Sequence, residues 1–377
     1  MEIAATPYSP GATVGRWRHF DVQLLLYVLL LVAIGVLMSY SASFGDTPAQ
    51  GLGQTAKTLI WAGIGLTIFF IVASVDYQWL RTLALPIYLV LLGLLVFTML
   101  AGTDLFGAQM SVTLLGLDFQ FSEIGKVLMV SVLAAFLAGR GARVGRLATI
   151  LLAGAMVALP ALLVFRQPDL GTALVFAAIL VSMLFLAGAS VAWLGLFAAT
   201  TVAAAPFVVG MLHDYQRQRL LCFLDPSADA QGACYQLVQA LNAVGSGGLL
   251  GRGLTVGAEG QRGYVPVQTT DFVFTVVAED LGFVGAVVLL ALFGLLLWRM
   301  LVIGWQARDS FGMLVAGGLT SVIVFQVVVN VGMVIGIMPV TGMPLPFITY
   351  GGSSLISLFF GLGILESIRM RSQRPSF

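Results

Sequence analysis

Ionisable side chains are scarce in this sequence, so the few that interrupt apolar runs are the first candidates for chemistry. The stretch QTTDFVFTVVAED, residues 268–280, sets Asp271 at the mouth of one such run, with Glu279 and Asp280 inside it. A carboxylate with one apolar wall resists ionisation and is a candidate general base. Thr269, Thr270 and Asp271 would equally cap a helix, and the residues alone leave both readings open. Glu279 and Asp280 lie about two turns further along and are secondary candidates, facing a polar cavity. In QFSEIGKVLMV, Glu123 and Lys126 are three residues apart, which puts them on one helix face as a functional pair or a structural one. In RQPDLGT, Asp169 has the position of a helix cap, and Arg166 is a loose cation beside it. Arg217, Arg219, Arg252 and Arg262 share one polar segment, as phosphate-gripping forks or as ordinary solvated charges.

The elements that must position these groups follow from composition. Apolar residues make up 59% of the 377 and charged residues 9%, with a mean hydropathy of +1.01. A soluble domain carries about 25% charged residues, so this chain cannot clothe a globule in water. The class is an all-α polytopic membrane protein. Ten runs are long enough to span: 21–41, 57–75, 82–101, 122–138, 148–165, 170–187, 191–212, 271–301, 311–336 and 353–368. With the N-terminus inside, Arg16, Arg18, Arg81, Arg140, Arg143, Arg146, Arg299, Arg308, Arg369, Arg371 and Arg374 all fall on the cytoplasmic side, as the positive-inside rule asks. An even number of spans then puts both termini inside. The first run is too long for a typical signal-peptide core, and further spans follow it. The formal charge of +1 points to no acidic partner, and nothing suggests nucleic acid.

One long external loop, about 213–270, separates spans seven and eight. YQLVQALNAV within it has helical spacing and is expected to lie along the membrane surface. GSGGLLGRGLTVG is too glycine-rich for a helix, and reads as an anion-cradling loop or as a flexible linker. Cys222 and Cys234 both fall in this loop, as a disulfide if the compartment is oxidising, or as two thiols.

The closing stretch GIMPVTGMPLPFITYGGSSLISLFFGLGIL resembles the SEDS family (shape, elongation, division and sporulation). So do FSEIGK, RQPDLGTAL, FLDPSADAQGACYQLVQALNAVGSGGLLGRGL and TTDFVFTVVAEDLGFVG, which together cover nearly the whole chain 1–377 as one membrane domain. Short termini resemble the rod-shape branch more than the division branch. The resemblance implies ten membrane helices and a peptidoglycan glycosyltransferase that polymerises lipid II at the outer face of the bacterial cytoplasmic membrane. It also implies a partner, a class B penicillin-binding protein with a single span. The family's essential aspartate falls on Asp271, as base or as ligand of a divalent cation (Mg or Mn), and its Glu–Lys pair falls on Glu123 and Lys126. Arg217 and Arg219 are the best candidates for the pyrophosphate, with Arg252 and Arg166 behind them. The chain departs from the family where Met110 and Ser111 replace an Arg-Trp pair, Phe121 a Pro, and Val267 and Thr269 a Glu and a His. A lipid II flippase and a non-catalytic scaffold are the competing expectations. The chain shows no inverted repeat of the kind transporters carry, and its polar weight lies in one external loop.

Overall fold

A computed structural model describes residues 17–43, 48–105, 108–114, 117–212, 214–227, 229, 232, 234–255 and 270–372. It is nearly all helix. The chain runs through α1 (Val22–Ser43), α2 (Pro48–Ser74), the short α3 (Gln78–Thr82) and α4 (Ala84–Ala101). Next come α5 (Phe121–Ala138), α6 (Leu147–Arg166), α7 (Leu170–Leu186) and α8 (Val191–Met211). Two polar helices follow, α9 (Asp214–Leu224) and α10 (Tyr235–Ser246), and then α11 (Val273–Trp305), α12 (Ser310–Val334) and α13 (Gly352–Met370). Eight of these are long and apolar enough to cross a membrane by length and composition. The apolar α7 is shorter, and the long apolar α8 carries side chains that lie partly outside the description. The protein is a multi-pass membrane protein.

Two departures from the sequence reading stand out. Between α4 and α5 the chain forms a small antiparallel meander, β1 (Thr103–Leu105), β2 (Ala108–Leu114) and β3 (Leu117–Phe119), so the fold is not purely helical. Thr103 faces Ser111, and Val112 faces Phe119. The stretch from 213 to 270 is also not a plain loop. YQLVQALNAV is helical as expected, within α10, but α9 precedes it as a second helix.

Enclosure is uneven. Of the eight apolar helices, α13 is the most enclosed, 83% buried over its most apolar stretch, and α4 the least, at 17%. Small residues make the enclosure of α13 workable. A Cβ on Gly363 would lie 2.8 Å from the carbonyl oxygen of Phe69 on α2, so only glycine lets the two backbones approach this closely. One end of the bundle is clamped by charge. Asp21, just before α1, accepts from Arg299 Nε of α11 at 2.8 and 3.0 Å, pairs with Arg299 Nη2 at 2.7 Å, and donates its main-chain N–H to Glu366 Oε1 of α13 at 2.9 Å. Tyr77 adds a second clamp there, reaching Asp309 at 3.0 Å and Ser367 at 3.1 Å.

The opposite end holds the feature that organises the site. α11 is not continuous, because Gly282 sits at φ 66° and ψ −166°, a conformation essentially restricted to glycine. A regular helix would bond Phe283 N–H to the Glu279 carbonyl, and Val284 N–H to the Asp280 carbonyl. The glycine-rich strip supplies substitutes for all four groups. Arg252 N–H donates to Glu279 O at 2.9 Å and Gly253 N–H to Asp280 O at 3.0 Å. Phe283 N–H donates to Gly248 O at 2.9 Å and Val284 N–H to Leu249 O at 3.1 Å. The glycines are there for approach: a Cβ at Gly251 would fall 2.5 Å from the Asp280 carbonyl carbon, and one at Gly282 2.8 Å from the Leu249 carbonyl. From Gly248 to Gly253 the strip is a backbone plug, tied down by these four bonds. Gly282→Ala should therefore cost at least about 1–3 kcal/mol, read as a lower midpoint in fluorescence-detected thermal unfolding of the purified protein. An unchanged midpoint would mean the helix runs through.

Candidate active site

Asp271 lies in the turn just before α11, outside the helix that crosses the bilayer. Its carboxylate does not cap that helix. The N-cap position belongs to Phe272, which makes no side-chain cap bond. Main-chain contacts hold the turn instead. The carbonyl of Asp271 accepts from Asn330 Nδ2 of α12 at 2.8 Å, and the same nitrogen donates to Met343 O at 2.6 Å. The hydroxyl of Thr349 donates to Thr270 O at 3.1 Å and accepts from Leu345 N–H at 2.7 Å. The proline-glycine segment before α13 is thus a bracket around the Asp271 turn.

Within that bracket two opposite charges converge. A Cβ on Gly342, whose φ is +71°, would stand 3.3 Å from Asp271 Oδ2 and 3.6 Å from Arg219 Nη1. Gly342 therefore packs against both groups, and a side chain there would push into the gap between them. Asp169 closes the third side. It is a true cap of α7: Oδ1 accepts from Thr172 N–H at 2.9 Å and Oδ2 from Gln120 Nε2 at 3.1 Å. A Cβ on Gly171 would lie 2.8 Å from Thr341 O, so the start of α7 packs directly on the bracket. Behind it, Lys126 Nζ donates to Glu123 Oε1 at 2.6 Å, with both side chains buried.

The electrostatics couple these groups. Burial pushes the Asp271 carboxyl up to about 6; the Arg219 charge pulls it back down, and the Asp169 charge pushes it further up. Burial also raises Asp169, opposed by its bonds from Thr172 and by the Lys126 charge, while Glu123 raises it again. The result is one half-buried carboxylate, more basic than usual, with an arginine beside it and no capping duty. It can accept a proton from a neutral donor, and the arginine can hold an anion next to it.

The remaining expected residues lie elsewhere. Arg217 is exposed; two residues from Arg219, it points about 200° around α9. Arg252 donates Nε to Ser246 O at 3.0 Å beside the plug, and Arg166 is exposed in the last turn of α6. Glu279 and Asp280 are buried at the helix break, about 12 Å of helix away from Asp271. Asp280 accepts from the Ser41 hydroxyl, which also accepts from Thr255 N–H at 2.9 Å. Arg262, Val267 and Thr269 lie outside the described residues, as does the side chain of Met110. Cys222 and Cys234 form a disulfide. Among the described residues no three His, Cys, Asp or Glu side chains gather as a metal site. The nearby Asp169 accepts from Thr172 and Gln120, one bond on each oxygen, and no step is derived through a metal.

Three participants escaped the sequence reading. Asn330 leaves a signal, one of two amides with Gln326 in the apolar run VFQVVVNVGMV. The sequence marks Asp169 only as a cap, and Gly342 only as part of a motif. Their convergence is tertiary and has no local mark.

The model of the FtsW/RodA/SpoVE cell cycle proteins matches residues 22–374. The chain belongs to this family. Peptidoglycan glycosyltransferase MrdB of Escherichia coli K12 is 38% identical over 351 residues, covering 93% of each chain. A solved peptidoglycan synthase complex, described for its coordination of polymerization and crosslinking, contains a chain similar at a TM-score of 0.78 and 32% identity, covering 94% of this chain and 98% of that one. The rod shape-determining protein RodA of Thermus thermophilus is similar at 0.70 and 31%, covering 95% and 99%.

The buried Glu123–Lys126 pair can be tested by a double-mutant cycle. Neutralising one partner leaves the other buried and uncompensated, which should cost about 3–5 kcal/mol, whereas the double neutral change should cost much less. Thermal unfolding of Glu123→Gln, Lys126→Met and the double variant measures this. A double loss equal to the sum of the single ones would mean the two residues act separately.

Proposed function

We propose that this chain is a peptidoglycan glycosyltransferase of the rod-shape branch, polymerising lipid II at the outer face of the bacterial cytoplasmic membrane. The observation that carries the reading is Asp271, a carboxylate relieved of capping, raised by burial and set beside Arg219. The relatives named peptidoglycan glycosyltransferase support the same reaction. Ten helices cross the bilayer, with α7 and α8 among them and both termini cytoplasmic. The arginines of the clamped end, Arg299, Arg308, Arg369 and Arg371 among them, support that orientation. The Asp271 end then faces the periplasmic side, where lipid-linked donors present their headgroups. A class B penicillin-binding protein is the partner, a reading supported by the synthase complex to which the chain is similar.

The reaction requires one base. The 4-hydroxyl of the acceptor sugar attacks the anomeric carbon of the donor; the new C–O bond forms as the bond to the pyrophosphate oxygen breaks. Asp271 takes the hydroxyl proton, and the undecaprenyl pyrophosphate leaves with its charge held by Arg219. An α-linked donor giving a β-linked product inverts in one displacement, which needs no carboxylate nucleophile on the opposite face.

Asp271→Asn separates chemistry from structure. Asn keeps the size of Asp but cannot take the proton, so conversion of labelled lipid II to glycan strands should fall about 10²–10⁴-fold, with the unfolding midpoint nearly unchanged. A variant that folds and polymerises at the parental rate would sink the assignment. The pH dependence has a defined sign. The base must be ionised, and burial has raised its pKa, so kcat/KM should fall as pH drops through about 6 rather than near 4. An acid limb at the ordinary carboxylate value would put another group in the role.

A further inference from the structure

Arg219 can grip the donor's pyrophosphate only if its helix is held beside Asp271. Arg219 is carried on α9, an eleven-residue polar helix at the bundle's end, so its place depends on how α9 is fixed to the bundle. Gln216, Arg219 and Cys222 recur at three-residue spacing and share one side of α9, within an arc of about 120°. Gln216 and Cys222 are buried, while Arg217, Gln218 and Leu221 on the other side are exposed. The two buried residues are anchors on either side of Arg219. Gln216 Nε2 donates to Pro168 O at 3.2 Å, next to Asp169, and Cys222 is bonded to Cys234.

Cys234 is the fixed end of that bond. It stands at the N-cap of α10, which buries Leu237, Ala240 and Ala243 and runs straight into Gly247 and the backbone plug. The plug is hydrogen-bonded across the break at Gly282, on the same helix that begins beside Asp271. A closed frame results. It passes from Asp271 along the first turns of α11 to the plug, back through α10, across the disulfide to α9, and returns at Arg219 opposite Asp271.

We propose that the Cys222–Cys234 disulfide is a positioning element of the active site, holding Arg219 against Asp271 to receive the pyrophosphate of the lipid-linked donor. It acts through Arg219 and touches no substrate. Preorganising a cation removes an ordering cost otherwise met at each binding event. The donor pyrophosphate is present in both ground and transition states, so looser positioning weakens binding more than it slows chemistry. The bond also makes the site sensitive to the redox state of its compartment, since both sulfurs are needed to close the frame.

This rests on the polymerase reading, and the test keeps the two apart. Polymerisation of labelled lipid II is measured with the purified full chain oxidised, reduced with TCEP and then re-oxidised, with free thiols counted at each stage. The Cys222→Ser/Cys234→Ser protein and Arg219→Gln, alone and combined, complete a double-mutant cycle. Reduction should raise KM about tenfold while kcat stays within about twofold, and re-oxidation should restore both. In the Arg219→Gln background, loss of the disulfide should cost nothing further. Unchanged KM after verified reduction overturns the proposal. So does a fall in kcat alone that follows the folded fraction, the mark of a purely structural bond, and so does a KM rise undiminished by Arg219→Gln. If the oxidised wild type converts no lipid II in the same assay, it is the polymerase reading that fails; if Asp271→Asn retains the parental rate, it is the base assignment. Comparing the reduced wild type with the serine variant guards against a variant that does not fold.

Discussion

A backbone amide in an apolar surrounding must be bonded, and in a membrane protein that requirement governs where a helix can stop. α11 breaks at Gly282, and the break would orphan four main-chain groups. The strip from Gly248 to Gly253 answers them one for one. Everything around Asp271 depends on this exchange. It fixes where α10 ends, and it lets the first turns of α11 be buried in protein instead of continuing the long apolar helix below. It also explains why glycines cluster in a segment with no other glycine-demanding task. A side chain at Gly251 or Gly282 would occupy the space the partner backbone needs.

The acids of the same end are sorted by what neutralises them. Glu123 has Lys126 at 2.6 Å, and Asp169 has the N-terminus of α7 and an amide. Asp280 has a hydroxyl. Asp271 has a nearby guanidinium but no capping bond to a main-chain N–H, and it is the acid whose basicity remains for use. Burying several carboxylates together is unfavourable unless each finds a partner. A site that keeps one of them less fully satisfied than its neighbours concentrates reactivity there.

Much of this was legible in the sequence. Hydropathy alone marked the apolar helices, because length and composition suffice to define a span. The i, i+3 spacing of Glu123 and Lys126 gave their pairing, and YQLVQALNAV gave the periodicity of α10. What stayed hidden was whatever depends on contacts between distant segments. Residues 271–301 read as one apolar run, since hydropathy does not register a change of backbone region at Gly282. The meander between β1 and β3 was too short to declare itself. The choice between cap and base at Asp271 hangs on which residue holds the N-cap, and that is Phe272. Asp169 and Gly342 are far from Asp271 in sequence, and nothing local tells them apart from other capping acids and loop glycines.

The clamp at Asp21 has mechanical meaning for the far end. Arg299 and Glu366 tie α1, α11 and α13 together at one point, and Tyr77 ties the chain after α2 to the start of α12. α1 is tied to α11 a second time near its far end, where Ser41 meets Asp280, so the two helices move as one arm about the salt bridge. The arm of α1, 22 residues long, is about 33 Å, and a tilt of about 2° about the fulcrum moves its far end by about 1 Å. That displacement is about as large as a reacting group tolerates before its rate collapses. Small rotations at the charged end thus become, by leverage alone, ångström-scale displacements at the end of the bundle that carries Asp271.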